Sequence, residues 1–263
     1  LGYKHVDTAQ VYQNEEGIGN ALKSLAVPKN EIYITTKMWP GMFNQEEPFQ
    51  TFDGAIQACD QSLKFLQVDE IDLYLIHNPF AKENRLELWE AMVELKKQGK
   101  VKHIGVSNYN VNHIQEIEKA GIEMPAANQI EIHPWHVVSK SLAEYMDKNK
   151  ILPIAYSTLA PIPNWREGSR WNGKPEDMKS GAMPCEDIAN KYEVTVPQLF
   201  LKWAIQLGYP VLPKSVKYDR LKENLSLDHF EISIDDMTSI SNIAIDNQKC
   251  LAWSGDFDPL EVD

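Results

Sequence analysis

The sequence predicts an α/β fold in which the strands form a parallel sheet. Short apolar runs alternate with amphipathic helical patterns along the whole chain, which is the arrangement of repeated β-α units. The run Ile71–Ile76 is almost continuously apolar, as expected for a strand that helices cover on both faces. A length of 263 residues suits one closed barrel of such units. We therefore predict that residues 1–263 form a single domain of the TIM (β/α)8 barrel type.

Seven strands of this barrel are visible as apolar runs. Closing an eight-stranded barrel requires one more, and the abrupt start at Leu1 suggests that it lies upstream of this sequence. An open, doubly wound sheet is the competing architecture, but it predicts a G-x-G-x-x-G turn after its first strand, and none occurs. In chain order the predicted strands are His5–Val6, Ile32–Thr36, Ile71–Ile76, Val101–Val106, Ala127–Ile132, Ile151–Tyr156 and Pro210–Pro213.

Helical patterns connect these runs, and two of them stop at Gly99 and Gly121. The Pro- and Gly-rich segment Thr158–Pro184 and the tail Asp246–Asp263 have no regular pattern. A loop as long as the first is usually functional, so we expect these two stretches to determine substrate choice. The predicted helices are Asn14–Leu25, Pro48–Phe65, Leu86–Gln98, Asn112–Ala120, Ser139–Lys148, Cys185–Tyr192, Pro197–Leu207, Asp219–Leu225 and Ile234–Ile243.

Composition and charge narrow the class of partner. A net charge of -12 argues against a nucleic-acid backbone, which requires clustered Lys and Arg. Cys59, Cys185 and Cys250 are too scattered for a disulfide framework, and no two of them have metal-site spacing. No apolar run is long enough to span a bilayer. We expect a cytoplasmic protein that acts on a small molecule without a metal, and that is monomeric unless another subunit supplies the missing strand.

Four chemically active residues stand at or beyond the ends of the first three apolar runs. Asp7, Lys37 and His77 each follow such a run, and Tyr12 lies in the polar stretch after Asp7. The carboxyl ends of barrel strands open on one face, so these side chains could converge. Each also has a plainer interpretation, because Asp7 could cap a helix, Lys37 could be solvated and His77 could be structural. Their appearance in order, each at the same structural place, favours a shared site.

Such a group could protonate a carbonyl oxygen. A phenol alone holds its proton too tightly to be a good acid at neutral pH, and a nearby ammonium favours its phenolate form. A carboxylate paired with the lysine would keep it charged and oriented, while a neutral histidine could align the carbonyl. Tyr12, Lys37, Asp7 and His77 supply these four groups. The hydride would then come from a cofactor.

These residues closely resemble those of the aldo-keto reductase superfamily. The motifs HVDTAQVY, ITTK, LYLIH, GVSN, NQIEIHP, AYSTL and LPKSVKYDRLKEN match the family in its own order, across essentially the whole chain. The resemblance implies a TIM barrel that uses NADP(H) to reduce aldehydes and ketones to alcohols. It also implies that Tyr12 is the proton donor, that Lys37 and Asp7 support it, and that His77 orients the carbonyl.

The resemblance further implies a set of cofactor contacts. Ser107, Asn108 and Gln129 would hold the nicotinamide carboxamide, and Tyr156 would stack on the nicotinamide ring. Taken alone, Ser107 and Asn108 could equally form an ordinary turn, and Gln129 could be a hydrogen-bonded polar residue of a strand. Lys214 and Arg220, which follow later in the chain, could equally belong to a solvated basic face. The remaining contacts would be Ser157 and Leu159 to the pyrophosphate, Lys214, Ser215, Val216 and Arg220 to the adenosine 2′-phosphate, and Glu223 and Asn224 to the adenine.

Three positions would line the substrate pocket, namely Val11, Trp39 and Asn78. Trp135 is a fourth by position, although simple packing explains the two tryptophans about as well. His133 is interpreted as a structural residue.

Three departures from the family pattern qualify this prediction. The family's first strand and the hairpin before it have no counterpart, so we expect either a fragment of a longer chain or a rearrangement that covers the gap. Asn78 stands where many members have Trp, which predicts a more polar pocket. Pro161 and Pro163 occupy a region where many members have an acid that clasps the cofactor. The leading prediction is an NADPH-dependent carbonyl reductase, and the alternative is a nucleotide-binding barrel with impaired catalysis and a regulatory or structural role.

Overall fold

A computed structural model describes residues 1–25, 28, 31–42, 49–162, 185–253 and 257–262. Three sequence predictions fall wholly or partly outside this range. They are the start of the second helix at Pro48, most of the loop Thr158–Pro184 including Pro163, and positions 254–256 and 263 of the tail.

The strands form one sheet whose order follows the sequence. The described residues contain six strands rather than the seven predicted, and the ladders that join β1 to β5 are all parallel. The strand β2 continues past its predicted end, so Lys37 lies inside it. The six strands are β1 His5–Asp7, β2 Tyr33–Met38, β3 Ile71–Ile76, β4 Val101–Ser107, β5 Ala127–Glu131 and β6 Leu152–Tyr156.

The predicted seventh strand, Pro210–Pro213, is the error in the strand prediction. Val211 makes only an isolated parallel bridge to Ala155. The bridge consists of a bond from Ala155 N to Pro210 O, at 2.8 Å, and one from Leu212 N to Ala155 O, at 3.1 Å. Proline has no N–H to donate, so Pro210 cannot make the bond that would extend the ladder by the preceding step.

Most helices lie within a few residues of their predicted positions. The second begins at Phe52 because the hydroxyl of Thr51 accepts a hydrogen bond from Gly54 N at 3.1 Å and caps it. The pattern Ile234–Ile243 is divided into two helices. The helices are α1 Glu15–Ser24, α2 Phe52–Leu66, α3 Arg85–Lys97, α4 Val111–Ala120, α5 Lys140–Lys148, α6 Glu186–Lys191, α7 Val196–Gln206, α8 Tyr218–Leu225, α9 Ile234–Ser241 and α10 Ile243–Asn247, with 3₁₀ turns at Gln10–Tyr12, Lys82–Asn84 and Pro259–Glu261.

The chain divides into two compact units. The N-terminal unit comprises Gly2–Gln129, Glu144–Leu152 and Pro259–Asp263, and the C-terminal unit comprises Leu1, Ile130–Ala143 and Pro153–Asp258. The prediction of a single domain over residues 1–263 stays a prediction. None of the helices in the described ranges has the length and apolar character needed to cross a bilayer.

Each unit has its own buried apolar residues. In the N-terminal unit, strand β3 is covered on both faces, as its apolar run predicted, and helix α3 contributes Trp89 and Met92 to the interior. In the C-terminal unit, helix α7 buries Phe200 and Trp203. Burial of one large apolar side chain stabilises a fold by about 1.5–3 kcal/mol.

Helix α1 approaches the end of helix α2 closely at Gly19. A Cβ at this position would collide with the carbonyl oxygen of Phe65 and lie 2.8 Å from the carbonyl carbon of Leu66. Both obstacles are backbone atoms, so rotation of a side chain cannot relieve the clash. Gly17, on the same helix, has nothing within 4 Å of the equivalent position. The close approach of the two helices therefore depends on Gly19 and not on Gly17.

We expect Gly19→Ala to lower the free energy of unfolding by about 1–3 kcal/mol, because the helices must separate to admit the methyl group. The matched control Gly17→Ala should be neutral or stabilising by up to about 1 kcal/mol, since alanine is the better helix former. Urea denaturation followed by circular dichroism measures both. Equal stability of the two variants would contradict the packing described.

Candidate active site

A buried ion pair stands where strands β1 and β2 end. The side chain of Lys37 is fully buried, and its Nζ donates to Asp7 Oδ1 at 2.6 Å and to the backbone oxygen of Thr8 at 2.8 Å. The parallel register pairs Asp7 with Thr35, two residues before the lysine. Lys37 lies two residues after Thr35, so the two side chains point to the same face of the sheet. The ammonium of Lys37 is therefore directed toward the carboxylate of Asp7.

The ion pair keeps Lys37 charged. Burial alone would lower the pKa of this lysine, but the negative charge of Asp7 and the phenol of Tyr12 act in the opposite direction and prevail. The pKa of Lys37 is therefore raised above its ordinary value. At neutral pH the site contains a fixed ammonium with little access to water.

The second oxygen of Asp7 binds a residue from a distant strand. Gln129 of β5 is buried, and its Nε2 donates to Asp7 Oδ2 at 2.7 Å. The carboxylate is thus held on both oxygens, by Lys37 and by Gln129. The sequence predicted a cofactor contact for Gln129 and did not predict this bond, because the two residues belong to strands far apart in the chain.

Tyr12 lies above this pair on the 3₁₀ turn Gln10–Tyr12. Its side chain is 51% exposed, and its ring centroid lies 5.3 Å from Lys37 Nζ. The turn ends at Gln13 in the left-handed conformation, with a φ of 55°. Next to it, the hydroxyl of Thr8 donates to Asn14 Oδ1 at 2.5 Å. The phenol is therefore presented to solvent beside a buried positive charge.

His77 follows strand β3 and sits between two aromatic rings. Its ring meets that of Tyr12 edge-on at 5.6 Å and that of Trp39 edge-on at 5.1 Å. Burial, assisted by the charge of Lys37, holds the pKa of His77 well below the ordinary value of 6.5. The imidazole is neutral at pH 7. Its Nδ1 is buried without a hydrogen-bond partner among the described residues.

The residues predicted to contact the nicotinamide form a connected hydrogen-bond network in the N-terminal unit. Ser107 Oγ donates to Gln129 O at 2.7 Å, and Asn108 Nδ2 donates to His77 O at 3.0 Å and to Ser107 Oγ at 3.1 Å. Asn108 adopts the left-handed conformation with a φ of 63°, which turns its amide back toward the strand ends. Hydrogen bonds therefore connect these residues to Asp7 through Gln129 and to His77 through Asn108.

The predicted substrate residues differ in how far they are exposed to solvent. Val11 is exposed on the same turn as Tyr12, and Trp39 is partly buried against His77. Asn78 is buried, and its amide bonds to Gly41 O at 3.1 Å and to Phe80 N at 3.0 Å. Both polar ends of Asn78 are thus engaged within the protein, and the more polar pocket that it suggested stays a prediction.

Gln10 is a residue of this site that the sequence reasoning missed. Its Oε1 accepts a hydrogen bond from Trp39 N at 3.0 Å, which ties the turn bearing Tyr12 to the end of strand β2. The only sequence signal was its position inside the motif HVDTAQVY, two residues before the tyrosine.

The C-terminal unit contains the other predicted cofactor residues. Tyr156 ends strand β6, and its hydroxyl accepts a hydrogen bond from Trp253 Nε1 at 2.8 Å. Ser157 follows in the left-handed conformation with a φ of 55°, and the turn continues through Leu159 and Pro161. Trp253 was not predicted as a site residue because it lies in the tail without any pattern.

The segment predicted to bind a 2′-phosphate carries two exposed cations. Lys214 and Arg220 are solvent-exposed, and no carboxylate in the described part of the chain lies within ion-pairing distance of either. Ser215 Oγ accepts from Lys217 N at 3.1 Å at the beginning of α8, and Val216 is 84% exposed. This surface is suited to an anion.

The adenine residues at the end of this segment are less open. Glu223 accepts a hydrogen bond from the hydroxyl of Thr195 at 2.5 Å, and Asn224 is buried. The carboxylate of Glu223 thus already has a partner within the unit.

Two further sequence interpretations concern residues near strand β5. His133 is completely buried, and its Nε2 lies 2.8 Å from Glu131 Oε1. Trp135 packs in an apolar cluster with Ala160 and Leu251. Both observations agree with the plainer interpretations, structural for the histidine and packing for the tryptophan.

Comparison with known proteins decides the family. Residues 1–245 match the model of the Aldo/keto reductase family. The chain belongs to this family. It is 35% identical to the glyoxal reductase of Bacillus subtilis (strain 168) over 247 residues, which are 94% of this chain and 81% of that protein. It is 36% identical to the methylglyoxal reductase of Escherichia coli (strain K12) over 246 residues, covering 92% and 80% respectively.

Solved aldo-keto reductase structures agree with the fold. One from a Medee basin deep-sea metagenome library superposes with a TM-score of 0.80 at 33% identity, covering 97% of this chain and 86% of that one. The Bombyx mori aldo-keto reductase in complex with NADP superposes with a TM-score of 0.75 at 30% identity, covering 92% and 78%. The predicted family and the predicted class of α/β barrel are therefore confirmed.

We expect the free energy of unfolding to decrease as the pH falls below about 6.5, with His77 as one cause. The folded state keeps this imidazole neutral, whereas the unfolded chain binds a proton near the ordinary value of 6.5. The unfolded state therefore gains protons first, so the stability contributed by His77 is present above pH 6.5 and is lost toward its lowered folded-state pKa.

Urea denaturation of His77→Asn between pH 7 and pH 5 checks this expectation, and its stability should depend less on pH than that of the wild type. The control is His103→Asn, which removes an exposed histidine of strand β4. A wild-type slope in His77→Asn would show that the pKa of His77 is the same in the folded and unfolded states, contrary to this expectation.

Proposed function

We propose that this protein reduces aldehydes and ketones to alcohols with NADPH as hydride donor. The observation that carries the proposal is the buried Lys37–Asp7 pair beneath the exposed Tyr12 ring, with the neutral His77 beside it. This set provides an acid, a charge that stabilises its conjugate base, and a neutral donor to the substrate oxygen.

In the proposed mechanism, Tyr12 gives its hydroxyl proton to the carbonyl oxygen. The ammonium of Lys37 stabilises the phenolate that this transfer leaves, and Asp7 keeps the ammonium charged and in position. NADPH, when bound, supplies the hydride that the carbonyl carbon receives. Phenolate would regain its proton from solvent, to which the Tyr12 side chain is exposed.

His77 would align the carbonyl by donating a hydrogen bond. Its Nδ1 is buried without a described partner, and a buried N–H without a partner is rare. We therefore assign the ring proton to Nε2. Because burial and the charge of Lys37 disfavour the imidazolium, this donor is neutral and does not compete with Tyr12 as the acid.

The residues present fit NADP(H), and we assign its contacts in two sets. In the N-terminal unit, the buried amides and hydroxyl of Ser107, Asn108 and Gln129 match the donors and acceptors of a carboxamide. In the C-terminal unit, the exposed cations Lys214 and Arg220 match a phosphate dianion. The remaining assigned contacts are Tyr156, Ser157, Leu159, Ser215, Val216, Glu223 and Asn224.

The names of the relatives narrow the substrate class to be tested. Two are called glyoxal reductase and methylglyoxal reductase, so small aldehydes with an adjacent carbonyl are the first candidates for this chain. Val11 and Trp39 flank the Tyr12 and His77 rings and would contact such a substrate. The test is to mix the protein with NADPH and methylglyoxal and follow the loss of NADPH absorbance. Binding of NADPH without turnover of any aldehyde would favour the alternative, a nucleotide-binding barrel with impaired catalysis.

We expect Tyr12→Phe to lower kcat by about a hundredfold or more and to leave the Kd of NADPH nearly unchanged. The reason is that the hydroxyl acts on the substrate oxygen and not on the cofactor. The control is Tyr33→Phe, which removes an exposed hydroxyl that donates to Asp72 O at 3.5 Å on strand β3. Steady-state kinetics and NADPH fluorescence titration measure the two effects. Near-normal turnover by Tyr12→Phe would refute its role as the acid.

We expect Arg220→Ala to weaken NADPH binding by roughly tenfold or more, because a charge-assisted hydrogen bond contributes about 1.5–3 kcal/mol. NADH lacks the 2′-phosphate, so its Kd should hardly change. Lys222→Ala is the matched control, since it removes an exposed cation of the same helix that is not assigned to the phosphate. Equal weakening of both cofactors would contradict the assignment.

A further inference from the structure

Three side chains that take no part in the proposed carbonyl reduction lie close together in the C-terminal unit, and each offers an atom that can bind a metal. Ligand atoms of His136, Cys250 and Asp258 all lie within 4.8 Å of one another. His136 is buried, while Cys250 and Asp258 are partly buried. We propose that these three residues bind a divalent transition-metal ion of the zinc type. The proposal is independent of carbonyl reduction.

The imidazole of His136 is oriented as in metal sites. Its Nδ1 lies 2.9 Å from the backbone oxygen of Glu131, an acceptor that requires the ring to carry a proton on Nδ1. Metal-binding histidines characteristically donate their other N–H to a carboxylate or a backbone carbonyl in this way. The bond fixes the ring and, in the neutral imidazole, leaves the lone pair of Nε2 available.

The available nitrogen faces an anion. Nε2 of His136 lies 2.8 Å from Asp258 Oδ2. In the metal-free protein a second ring proton, on Nε2, joins these two atoms in an ion pair. A metal ion would displace this proton, and Nε2 and Oδ2 would move apart by about 0.6 Å to bind it at about 2.0–2.2 Å from each.

Glu131 fixes the third ligand. Its buried carboxylate accepts hydrogen bonds from Leu251 N at 2.6 Å and from Ala252 N at 2.9 Å, and Cys250 Sγ lies 2.9 Å from its Oε2. The backbone directly after Cys250 is thereby anchored, which orients the sulfur. On metal binding the thiol would release its proton to solvent and coordinate as thiolate.

The set of ligand atoms selects the type of metal. Nitrogen, sulfur and carboxylate oxygen together suit Zn²⁺, whereas Ca²⁺ and Mg²⁺ prefer sites made of oxygen alone. Three protein ligands leave a fourth position for water. With a thiolate and a carboxylate, the divalent ion would also neutralise the negative charges of the group.

Such an ion would join two segments of the C-terminal unit. His136 lies just after strand β5, and the other ligands lie in the tail that follows helix α10. Trp253 lies between Cys250 and Asp258 in sequence, and it donates a hydrogen bond to the hydroxyl of Tyr156 at 2.8 Å. Because the ion binds only the assembled segments, it should stabilise the folded unit against unfolding. The prediction of no metal site was made from cysteine spacing, which says nothing about ligands that come from such distant positions.

The test is titration of the full chain, reduced and treated with a chelator, with Co²⁺ as a spectroscopic probe and Zn²⁺ as competitor. We expect one equivalent of Co²⁺ to produce the near-ultraviolet band of a cobalt–thiolate bond. Zn²⁺ should displace it and raise the melting temperature. Absence of saturable binding, or binding without the thiolate band, would overturn the proposal.

Variants locate the ion. Cys250→Ser should abolish the thiolate band, and Asp258→Asn should weaken Zn²⁺ binding by about tenfold or more while leaving a folded protein by circular dichroism. The matched control is Cys185→Ser, which removes a partly buried cysteine outside the group and should change neither result. An undiminished thiolate band in Cys250→Ser, or unchanged affinity in Asp258→Asn, would place the ion elsewhere and refute this site. If Cys250→Ser does not fold, the result for Asp258→Asn decides.

Discussion

The buried ion pair of Lys37 and Asp7 is the interaction on which the rest of the site depends. Placing an ammonium in the interior is costly unless it is paired and hydrogen-bonded, and here it is bound by Asp7 Oδ1 and by Thr8 O. Removing one partner from such a pair typically costs about 3–5 kcal/mol, because the remaining charge has no compensation. The two short strands that carry these residues must therefore keep their parallel register for the fold to tolerate the lysine at all.

From this pair, hydrogen bonds extend across the ends of the neighbouring strands. Gln129 bonds the free oxygen of Asp7, Ser107 bonds the backbone of Gln129, and Asn108 bonds the backbone of His77. The same fixed charge that would stabilise a phenolate in the proposed mechanism also helps to keep His77 neutral. In that mechanism, one buried lysine gives two neighbouring titratable side chains different roles.

The C-terminal unit uses a buried carboxylate in a different way. Glu131 lies in the interior with its oxygens bonded to the backbone of Leu251 and Ala252 and to His133. Burial acts to raise its pKa, and the hydrogen bonds of His133 and Cys250 together with the nearby histidines overcome this effect, so the pKa of Glu131 is lowered. A charged group that organises the irregular tail explains how a segment without helical or strand periodicity can adopt a defined path.

Much of the fold, and several of the residues that lie together at the candidate site, could be predicted from the sequence, because they depend on local pattern. The apolar run of β3 marked a strand covered on both faces, and Asp7, Lys37 and His77 were recognisable by their place at strand ends. The bridge at Val211, the Gln129–Asp7 bond and the anchoring of the tail by Glu131 were not predictable. Each joins residues far apart in the chain, and the distance between such residues is determined only when the strands pack. The sequence by itself determined which side chains are available, whereas the tertiary structure decided which of them share a hydrogen bond, and thereby which carry charge.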